Sequence, residues 1–236
     1  MSQKYAKDAL GTRMKSYENV NRDYLMPRTP TIIRVDGKAF HTYTKTMQFE
    51  RPFSDPLHKI MQDTAMGLFD KVQNTRLCYY QSDEISLLLN DWRDLGTQQW
   101  FGGNIQKMVS VSASIATSHF IQGAIQQLGA MTAANQYPEF DSRVFQLPKE
   151  EVNNYFLWRQ QDATRNSLQM YTGSFYSHRE MHGKNTQDMH SMLFEKGVNW
   201  NNLEIWKRRG ACVRYEGPDD EIPLFNVSRE YINELL

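Results

Sequence analysis

Apolar and polar positions along the chain follow two different periods, and the changes between them predict the order of its elements. The apolar, β-branched run TIIRV at residues 31–35 predicts a buried strand. Apolar residues then recur at helical spacing over residues 57–72, directly after Ser54, Asp55 and Pro56. A capping serine followed by an early proline is typical of a helix start, so a helix of four to five turns is predicted here.

The middle of the chain predicts a hairpin followed by a second long helix. RLCYYQ at residues 76–81 and ISLLLN at residues 85–90 have the composition of two strands joined by a short turn. Helical spacing resumes over residues 105–120, and a short strand is predicted at residues 144–147. The order strand, helix, hairpin, helix, strand predicts an α+β fold, with an antiparallel or mixed sheet and both helices on one face.

Both ends of the chain predict further helices. Residues 2–17 have a polar helical pattern, and residues 148–171 and 188–196 are helical in pattern before an irregular tail with short strands. Neither an internal repeat nor a low-complexity linker separates these parts. We therefore expect residues 1–147 to form a catalytic core with an N-terminal helix. Residues 148–236 should form a C-terminal helical and irregular region packed on that core, or both parts a single domain.

Composition narrows the classes of function. Lys and Arg number 27 and so do Asp and Glu, so a globally basic surface is excluded and any nucleic-acid contact must use local patches. The sequence lacks a run of about 18 apolar residues, so no membrane span is expected. The two cysteines, Cys78 and Cys212, have no metal-ligand spacing. They favour a reducing, cytoplasmic setting.

Acidic residues follow two of the predicted strands. Asp36 ends the first strand, and Asp83 and Glu84 occupy the hairpin turn, so pairing those strands would bring three carboxylates to one edge. Carboxylates at such distances raise one another's pKa, and hard divalent cations such as Mg²⁺ neutralise them. Gly37 would let a backbone carbonyl approach a metal. Asp-Gly turns and polar hairpin tips are also common without any chemistry, so both interpretations stay open at this level.

Four segments, in order, resemble one enzyme family. They are RVDGKAFHTYT at residues 34–44, YYQSDEISLLL at 79–89, FDSRV at 140–144 and YFLWRQQDATRNSL at 155–168. They are similar to the tRNA-His guanylyltransferase superfamily, and the similarity extends over most of the chain. The resemblance implies a catalytic core like the palm of ordinary polymerases. It also implies a reaction that extends RNA 5′ ends in the 3′-to-5′ direction.

The resemblance also implies roles for individual residues. Asp36, the Gly37 carbonyl and Asp83 match the family's ligands of two Mg²⁺ ions. Glu84 matches the adjacent acidic residue of the family, and the three acidic residues together are the expected catalytic residues. The residues implied to contact the nucleotide are Lys38, Ala39, Phe40, His41, Arg51, Asp55, Ser82 and Lys107. Arg51 stands where the family has a lysine that contacts the triphosphate. An arginine keeps the positive charge and adds bidentate binding of phosphate.

One motif departs from the family's eukaryotic pattern. Where those enzymes have HINNLYN, this chain has TRNSLQM at residues 164–170, so Thr164 and Met170 replace a histidine and an asparagine. This divergence resembles the Thg1-like branch, whose members repair truncated tRNA 5′ ends against the opposite strand. The residues expected to contact RNA are Arg143, Arg159, Arg165, Asn166, Lys207, Arg208 and Arg209. A charged helix end beside core tryptophans explains the last three equally well.

The resemblance implies partners and leaves rival functions open. The expected partners are tRNA and nucleoside triphosphates, with ATP or GTP activating the RNA 5′ end, and the expected assembly is a homotetramer. Addition of a guanosine to tRNA-His is an alternative within the family. A palm-type nucleotide cyclase would explain the same aspartates. A noncatalytic RNA-binding protein is a third possibility, although unneutralised carboxylates repel RNA phosphates.

Overall fold

The computed structural model describes residues 8–236. The helices are α1 (Ala9–Asn19), α2 (Phe40–Thr46), α3 (Asp55–Lys71), α4 (Ile105–Leu128), α5 (Ala130–Ala133), α6 (Val152–Gly173), α7 (His178–Met181), α8 (Thr186–Glu195), α9 (Ile205–Arg209) and α10 (Glu230–Asn233). The strands are β1 (Thr31–Gly37), β2 (Thr75–Gln81), β3 (Glu84–Leu89), β4 (Phe140–Gln146), β5 (Ala211–Arg214) and β6 (Gly217–Asp219). The first residues of the predicted N-terminal helix lie outside the described residues, and the rest of that pattern falls in α1.

One antiparallel sheet contains the six strands, in the order β4-β1-β3-β2-β5-β6. This confirms the predicted α+β class and the predicted hairpin of β2 and β3. Strands β5 and β6 come from the C-terminal region and extend the same sheet. Strands from both sides of residue 147 thus share one sheet. The division of the chain into two regions at this residue stays a prediction.

Helices α3 and α4 cover one face of the sheet, as the periodicity predicted. Side chains alternate across a strand, so Ile33 and Val35 of β1 point to this face and pack with Ile60 of α3 and Met108 of α4. Helix α3 begins where the sequence indicated, because the Ser54 hydroxyl accepts a hydrogen bond from the backbone N–H of Leu57 at 3.4 Å.

Helix α6 covers the opposite face, which the sequence pattern did not predict in detail. Ile32 of β1 and Leu88 of β3 point to this side and share a second core cluster with Tyr155 and Phe156 of α6. Hydrogen bonds from Arg159 of α6 to Glu84 place the start of β3 beside this helix. Asp36, near the end of β1, lies opposite Glu84 in the sheet and is therefore close to α6 as well. Among helices formed by residues 8–236, none combines the length and the apolar character that a membrane crossing requires.

Candidate active site

The antiparallel register brings the predicted acidic residues to one end of the sheet. Asp36 of β1 lies directly opposite Glu84 of β3, so their side chains share a face. The backbone N–H of Gly37 donates a hydrogen bond of 3.1 Å to the carbonyl of Asp83. This hydrogen bond fixes the hairpin tip against the end of β1, so Asp36 and Asp83 are held close to each other.

Asp83 sits in an environment that disfavours its charge. Burial raises its pKa to about 6, with the nearby Asp36 adding to the effect, although a hydrogen bond of 2.8 Å from the Ser82 hydroxyl acts in the other direction. Within residues 8–236, neither Asp36 nor Asp83 forms an ion pair with a basic side chain. Two neighbouring carboxylates without a cation are suited to a divalent metal ion with oxygen ligands.

Glu84 is engaged differently from the two aspartates. The Nε and Nη2 atoms of Arg159 each donate a hydrogen bond of 2.7 Å to its carboxylate, and both residues are 6% exposed. Burial raises the pKa of Glu84, while Arg159 opposes that rise. In the described part of the chain, no three or more His, Cys, Asp or Glu side chains are grouped to hold a metal. The three predicted carboxylates thus lie at the same end of the sheet, where Arg159 holds Glu84, and Asp36 and Asp83 have no ion pair within residues 8–236.

The position of Arg159 corrects one sequence prediction. Its guanidinium, expected to contact RNA, is buried under the sheet and also donates a hydrogen bond of 3.1 Å to Asp162. A side chain with this burial and these carboxylate partners has no surface for an RNA phosphate. Arg159 instead links α6 to the start of β3 through its ion pair with Glu84.

A glycine is needed at position 37 because the ring of Phe40 lies against its backbone, not because the backbone turns there. A Cβ atom at this position would lie 2.3 Å from the Cδ2 atom of Phe40, far inside van der Waals contact. Phe40, predicted to contact nucleotide, is 4% exposed and packs its ring against Tyr43 and Phe120. Its side chain therefore belongs mainly to the floor beneath the site.

A cleft of about 760 Å³ opens at this end of the sheet, between the hairpin tip, the segment before α3 and the helices α6 and α9. We call it the active-site cleft. Its size is in the range of small-molecule sites of about 300–1,000 Å³. The predicted residues that line it are Asp36, Phe40, His41, Arg51, Ser82, Asp83, Glu84, Asn166, Lys207 and Arg209.

The other predicted residues lie outside the lining of this cleft. They are Gly37, Lys38, Ala39, Asp55, Lys107, Arg143, Arg159, Arg165 and Arg208. Lys38 is ion-paired with Glu139. Lys107 places its Nζ atom 5.9 Å from the ring centre of Phe101. Apart from Arg159, the predicted contacts of these residues with nucleotide or RNA remain predictions.

Positive charge faces the carboxylates across the cleft. Arg51 is exposed and makes no ion pair in the portion of the chain that the structure covers. Lys207 lies 3.4 Å from Asp55 and 2.8 Å from Glu204. Burial and the neighbouring Arg208 lower the pKa of Arg209, whose Nε atom is buried without a hydrogen-bond partner. An anionic ligand would compensate Arg51 and Arg209, whereas Lys207 is already paired.

The cleft also has an aromatic wall that sequence reasoning did not identify. The rings of His58 and Trp206 stack with centroids 3.9 Å apart and an interplanar angle of 16°, and Phe53 packs against Trp206. His58 lies in α3 and Trp206 in α9, so only the fold brings them together. No local sequence signal could have found this pair.

The divergent motif on α6 contributes unequally to the cleft. Thr164 turns its hydroxyl back to the carbonyl of Gln160 at 2.8 Å, and Arg165 is ion-paired with Asp162. Asn166 and Met170 line the cleft, and Met170 is 44% exposed. Gln169 also lines the cleft and is exposed, so this wall presents two side-chain amides and one thioether to a ligand.

Comparisons with known proteins point to one enzyme family. The family model described as tRNAHis guanylyltransferase matches residues 11–148. The tRNA(His) guanylyltransferase of Debaryomyces hansenii is 30% identical over 217 residues, covering 85% of this chain and 78% of that protein. The enzyme of Saccharomyces cerevisiae is 27% identical over 229 residues, covering 90% and 92%.

Solved structures give the same likeness at the level of the whole chain. A bacterial tRNA(His) guanylyltransferase-like protein in complex with ATP has a TM-score of 0.91 and 40% identity, covering 96% of this chain and 99% of that one. A structure in complex with GTP, described in the same words, has a TM-score of 0.83 and 38% identity, covering 97% and 99%. Each of those proteins is similar to this chain over nearly its full length.

Proposed function

Because this chain belongs to the tRNAHis guanylyltransferase family, we propose that it is a nucleotidyltransferase that adds nucleotides to tRNA 5′ ends in the 3′-to-5′ direction. We propose further that its main reaction is the templated repair of tRNA that lacks 5′ nucleotides. The observation that carries this proposal is the pair Asp36 and Asp83, which line a nucleotide-sized cleft without any basic partner in residues 8–236.

The donor set fits magnesium. Asp36, Asp83 and the carbonyl of Gly37 would hold two Mg²⁺ ions, which supply neutralisation of phosphate charge and a lower pKa for the attacking hydroxyl. The raised pKa of Asp83 supports this fit, because a bound cation removes the cost of keeping that carboxylate charged. Glu84 is not among these proposed ligands, because Arg159 donates two hydrogen bonds to its carboxylate. Its proposed role is to hold the adjacent Asp83 in position.

Side chains of the cleft position the phosphates of both substrates. The 3′-hydroxyl of the incoming nucleotide attacks an activated 5′ phosphate of the RNA, and pyrophosphate or AMP leaves in line with it. Arg51 and Arg209 are placed to bind these phosphates, because neither is neutralised by a carboxylate within the described chain. ATP or GTP serves to activate a 5′ monophosphate, and the similar bacterial structures in complex with ATP and GTP support nucleotide binding here.

The wall formed by α6 favours templated repair over dedicated guanosine addition. Thr164 bonds to its own helix, and Met170 offers a thioether where the eukaryotic motif ends in an asparagine. The exposed polar groups that α6 adds to the cleft are the side-chain amides of Asn166 and Gln169. Because an amide both donates and accepts hydrogen bonds, these groups are not restricted to one base, and the choice of nucleotide falls to pairing with the opposite RNA strand.

We also propose a homotetrameric, cytoplasmic enzyme. Helix α1 supports an interface between copies, because Leu10, Met14 and Tyr17 are 59%, 45% and 68% exposed on it. Cys78 and Cys212 are both buried and free, which is compatible with a reducing compartment.

The test is incubation of the protein with a tRNA that lacks its first nucleotide, together with Mg²⁺ and all four nucleoside triphosphates. We expect the missing nucleotide to be restored, and we expect Asp83→Asn to lose this activity without any fall in melting temperature. Efficient guanosine addition to intact tRNA-His, with little repair of the truncated tRNA, would instead assign the guanosine-adding activity. No incorporation into either RNA would contradict the proposed function.

A further inference from the structure

A second cleft lies at the end of the sheet opposite to Asp36 and Asp83. It has a volume of about 820 Å³ and forms where β2 begins, where β3 ends and where the turn between β5 and β6 projects. The last five residues of β2, 77–81, separate Arg76 of this cleft from Ser82 of the hairpin tip, which corresponds to roughly 20 Å of extended chain. The second cleft is therefore a separate site from the active-site cleft.

The second cleft contains an arginine that the fold turns out of the regular strand. The pairing of β2 with β3 shifts register between Thr75 and Leu77, so Arg76 is the extra residue of a β-bulge. Bulges redirect a side chain and are frequent next to functional sites. The Nε atom of Arg76 is buried without a hydrogen-bond partner, and its side chain has no ion pair within residues 8–236. An anionic ligand would satisfy this group.

A second arginine of this cleft is also uncompensated, whereas the third is not. Arg93 is exposed on the loop after β3 and makes no ion pair with any described residue. Arg214 is held by Glu216 and Glu234, which accounts for two of the carboxylates in the lining. The charges that no ion pair neutralises within residues 8–236 are therefore those of Arg76, Arg93 and the carboxylate of Asp94, and these three sum to one positive charge for a ligand.

The loop that carries Arg93 is held in place. The side-chain amide of Asn74 donates a hydrogen bond of 2.6 Å to the carbonyl of Gln98. The third carboxylate of the cleft, Asp94, accepts a hydrogen bond of 2.9 Å from the backbone N–H of Gly96. At the start of the loop the backbone N–H of Asn90 donates a hydrogen bond of 3.0 Å to the carbonyl of Asn74. Contacts at both ends therefore hold the loop, and the cleft is preformed, as most ligand sites are.

An aromatic ring stands at the mouth of the second cleft. Tyr215, in the turn between β5 and β6, is 88% exposed and belongs to the lining. Exposed aromatic rings beside basic groups are the platform on which proteins stack unpaired bases while binding the backbone phosphate. The combination of two free guanidinium groups and one open ring matches the phosphate and base of a nucleotide.

We propose that the second cleft binds a nucleotide, with its phosphate at Arg76 and Arg93 and its base stacked on Tyr215. The nucleotide is supplied either by an RNA strand, which on the proposed function is a part of tRNA remote from the 5′ end, or by the free nucleotide pool. Both sources share the same chemistry, and binding measurements distinguish them.

The first measurement is tRNA affinity by filter binding over a range of salt concentrations. The double variant Arg76→Gln, Arg93→Gln should bind roughly tenfold or more weakly, with a salt slope lower by about 1, because one phosphate contact is lost. Tyr215→Ala should bind more weakly with an unchanged slope. Arg179→Gln is the control, because it removes one exposed arginine from α7, away from both clefts, and should leave affinity near the wild-type value. Melting temperatures of all variants confirm that they fold.

The second measurement is the binding of GMP by equilibrium dialysis, compared between wild type and the double variant. Loss of tRNA affinity supports an RNA ligand, and a lost GMP site with unchanged tRNA affinity supports a free nucleotide. Unchanged binding of both overturns the inference.

Extension of truncated tRNA by the wild type is measured in parallel. If the wild type extends it while binding by the double variant is unchanged, only the second cleft is refuted. If the wild type fails to extend it while the variant loses binding, only the proposed function is refuted.

Discussion

Arg159 of α6 and Glu84 of β3 form a buried bidentate ion pair, with both hydrogen bonds 2.7 Å long. Glu84 follows Asp83 directly in sequence and lies opposite Asp36 in the sheet. The pair therefore connects the helix on one face of the sheet to the strand end that carries the candidate metal ligands. Its loss should affect both the stability of the fold and the placement of the catalytic carboxylates.

Removal of Arg159 should destabilise the protein strongly. In Arg159→Met, Glu84 would stay buried without its partner, and such a change costs about 3–5 kcal/mol in the free energy of unfolding. Urea denaturation at pH 7 measures this loss. The double variant Glu84→Gln, Arg159→Met should recover part of the stability, because it leaves no buried unpaired charge.

Arg165 provides the matched control on the same helix. Its side chain is 57% exposed and pairs with Asp162 at the surface, so Arg165→Gln should change the free energy of unfolding by less than about 1 kcal/mol. Equal losses for Arg159→Met and Arg165→Gln would show that the buried pair has no special role in stability.

Local sequence signals predicted those parts of the fold that depend on neighbouring residues. The β-branched run TIIRV, the cap at Ser54 and the position of Asp36 and Asp83 at strand ends are all local features, and the structure places them as expected. The pairing of Glu84 with Arg159 spans 75 positions of the chain. No local pattern shows whether such an arginine faces RNA or a buried carboxylate.

Short and irregular elements were missed for a related reason. Helix α2 has seven residues and begins after Ala39, whose backbone has a φ of 55° that alanine rarely adopts. Packing of Phe40 beneath the site, rather than helix propensity, fixes that conformation. The aromatic wall of His58 and Trp206 likewise depends on tertiary packing alone.

Arg51 should contribute to nucleotide binding more than to the rate of the bound complex. It lines the active-site cleft and is exposed, so its truncation removes phosphate contacts without leaving a buried cavity. We expect Arg51→Ala to raise KM for the nucleoside triphosphate roughly tenfold, because a charge-assisted contact is lost. Steady-state kinetics on truncated tRNA measures the change. Arg51→Lys should keep most of the affinity, and an unchanged KM in Arg51→Ala would remove Arg51 from the site.

His58 should make the stability of the protein sensitive to mildly acidic pH. Burial lowers its pKa below the ordinary 6.5, although Asp220 acts in the opposite direction. The folded state therefore favours the neutral ring, and the unfolded state takes up the proton first as pH falls. The stabilising contribution is present above pH 6.5 and is lost as pH falls below that value.

Melting temperatures between pH 8 and pH 5 measure this effect, compared between wild type and His58→Gln. The wild type should lose more stability on acidification than the variant does. His178→Gln, at an exposed position on α7, is the control and should retain the wild-type profile. Identical profiles for wild type and His58→Gln would contradict the assignment of the effect to His58.

The opposing base of the RNA should decide which nucleotide is added. The wall of α6 in the active-site cleft offers the amides of Asn166 and Gln169 and the thioether of Met170, while Thr164 bonds to Gln160. Each amide can donate as well as accept a hydrogen bond, so neither is restricted to one base. Pairing with the opposite strand is then the main source of discrimination between bases. The measurement uses four truncated tRNAs that differ only in the base opposite the addition position, each with all four nucleoside triphosphates. We expect the complementary nucleotide in each case. Addition of guanosine to all four tRNAs would mean that the protein itself selects the base, and would exclude templated repair as its main reaction.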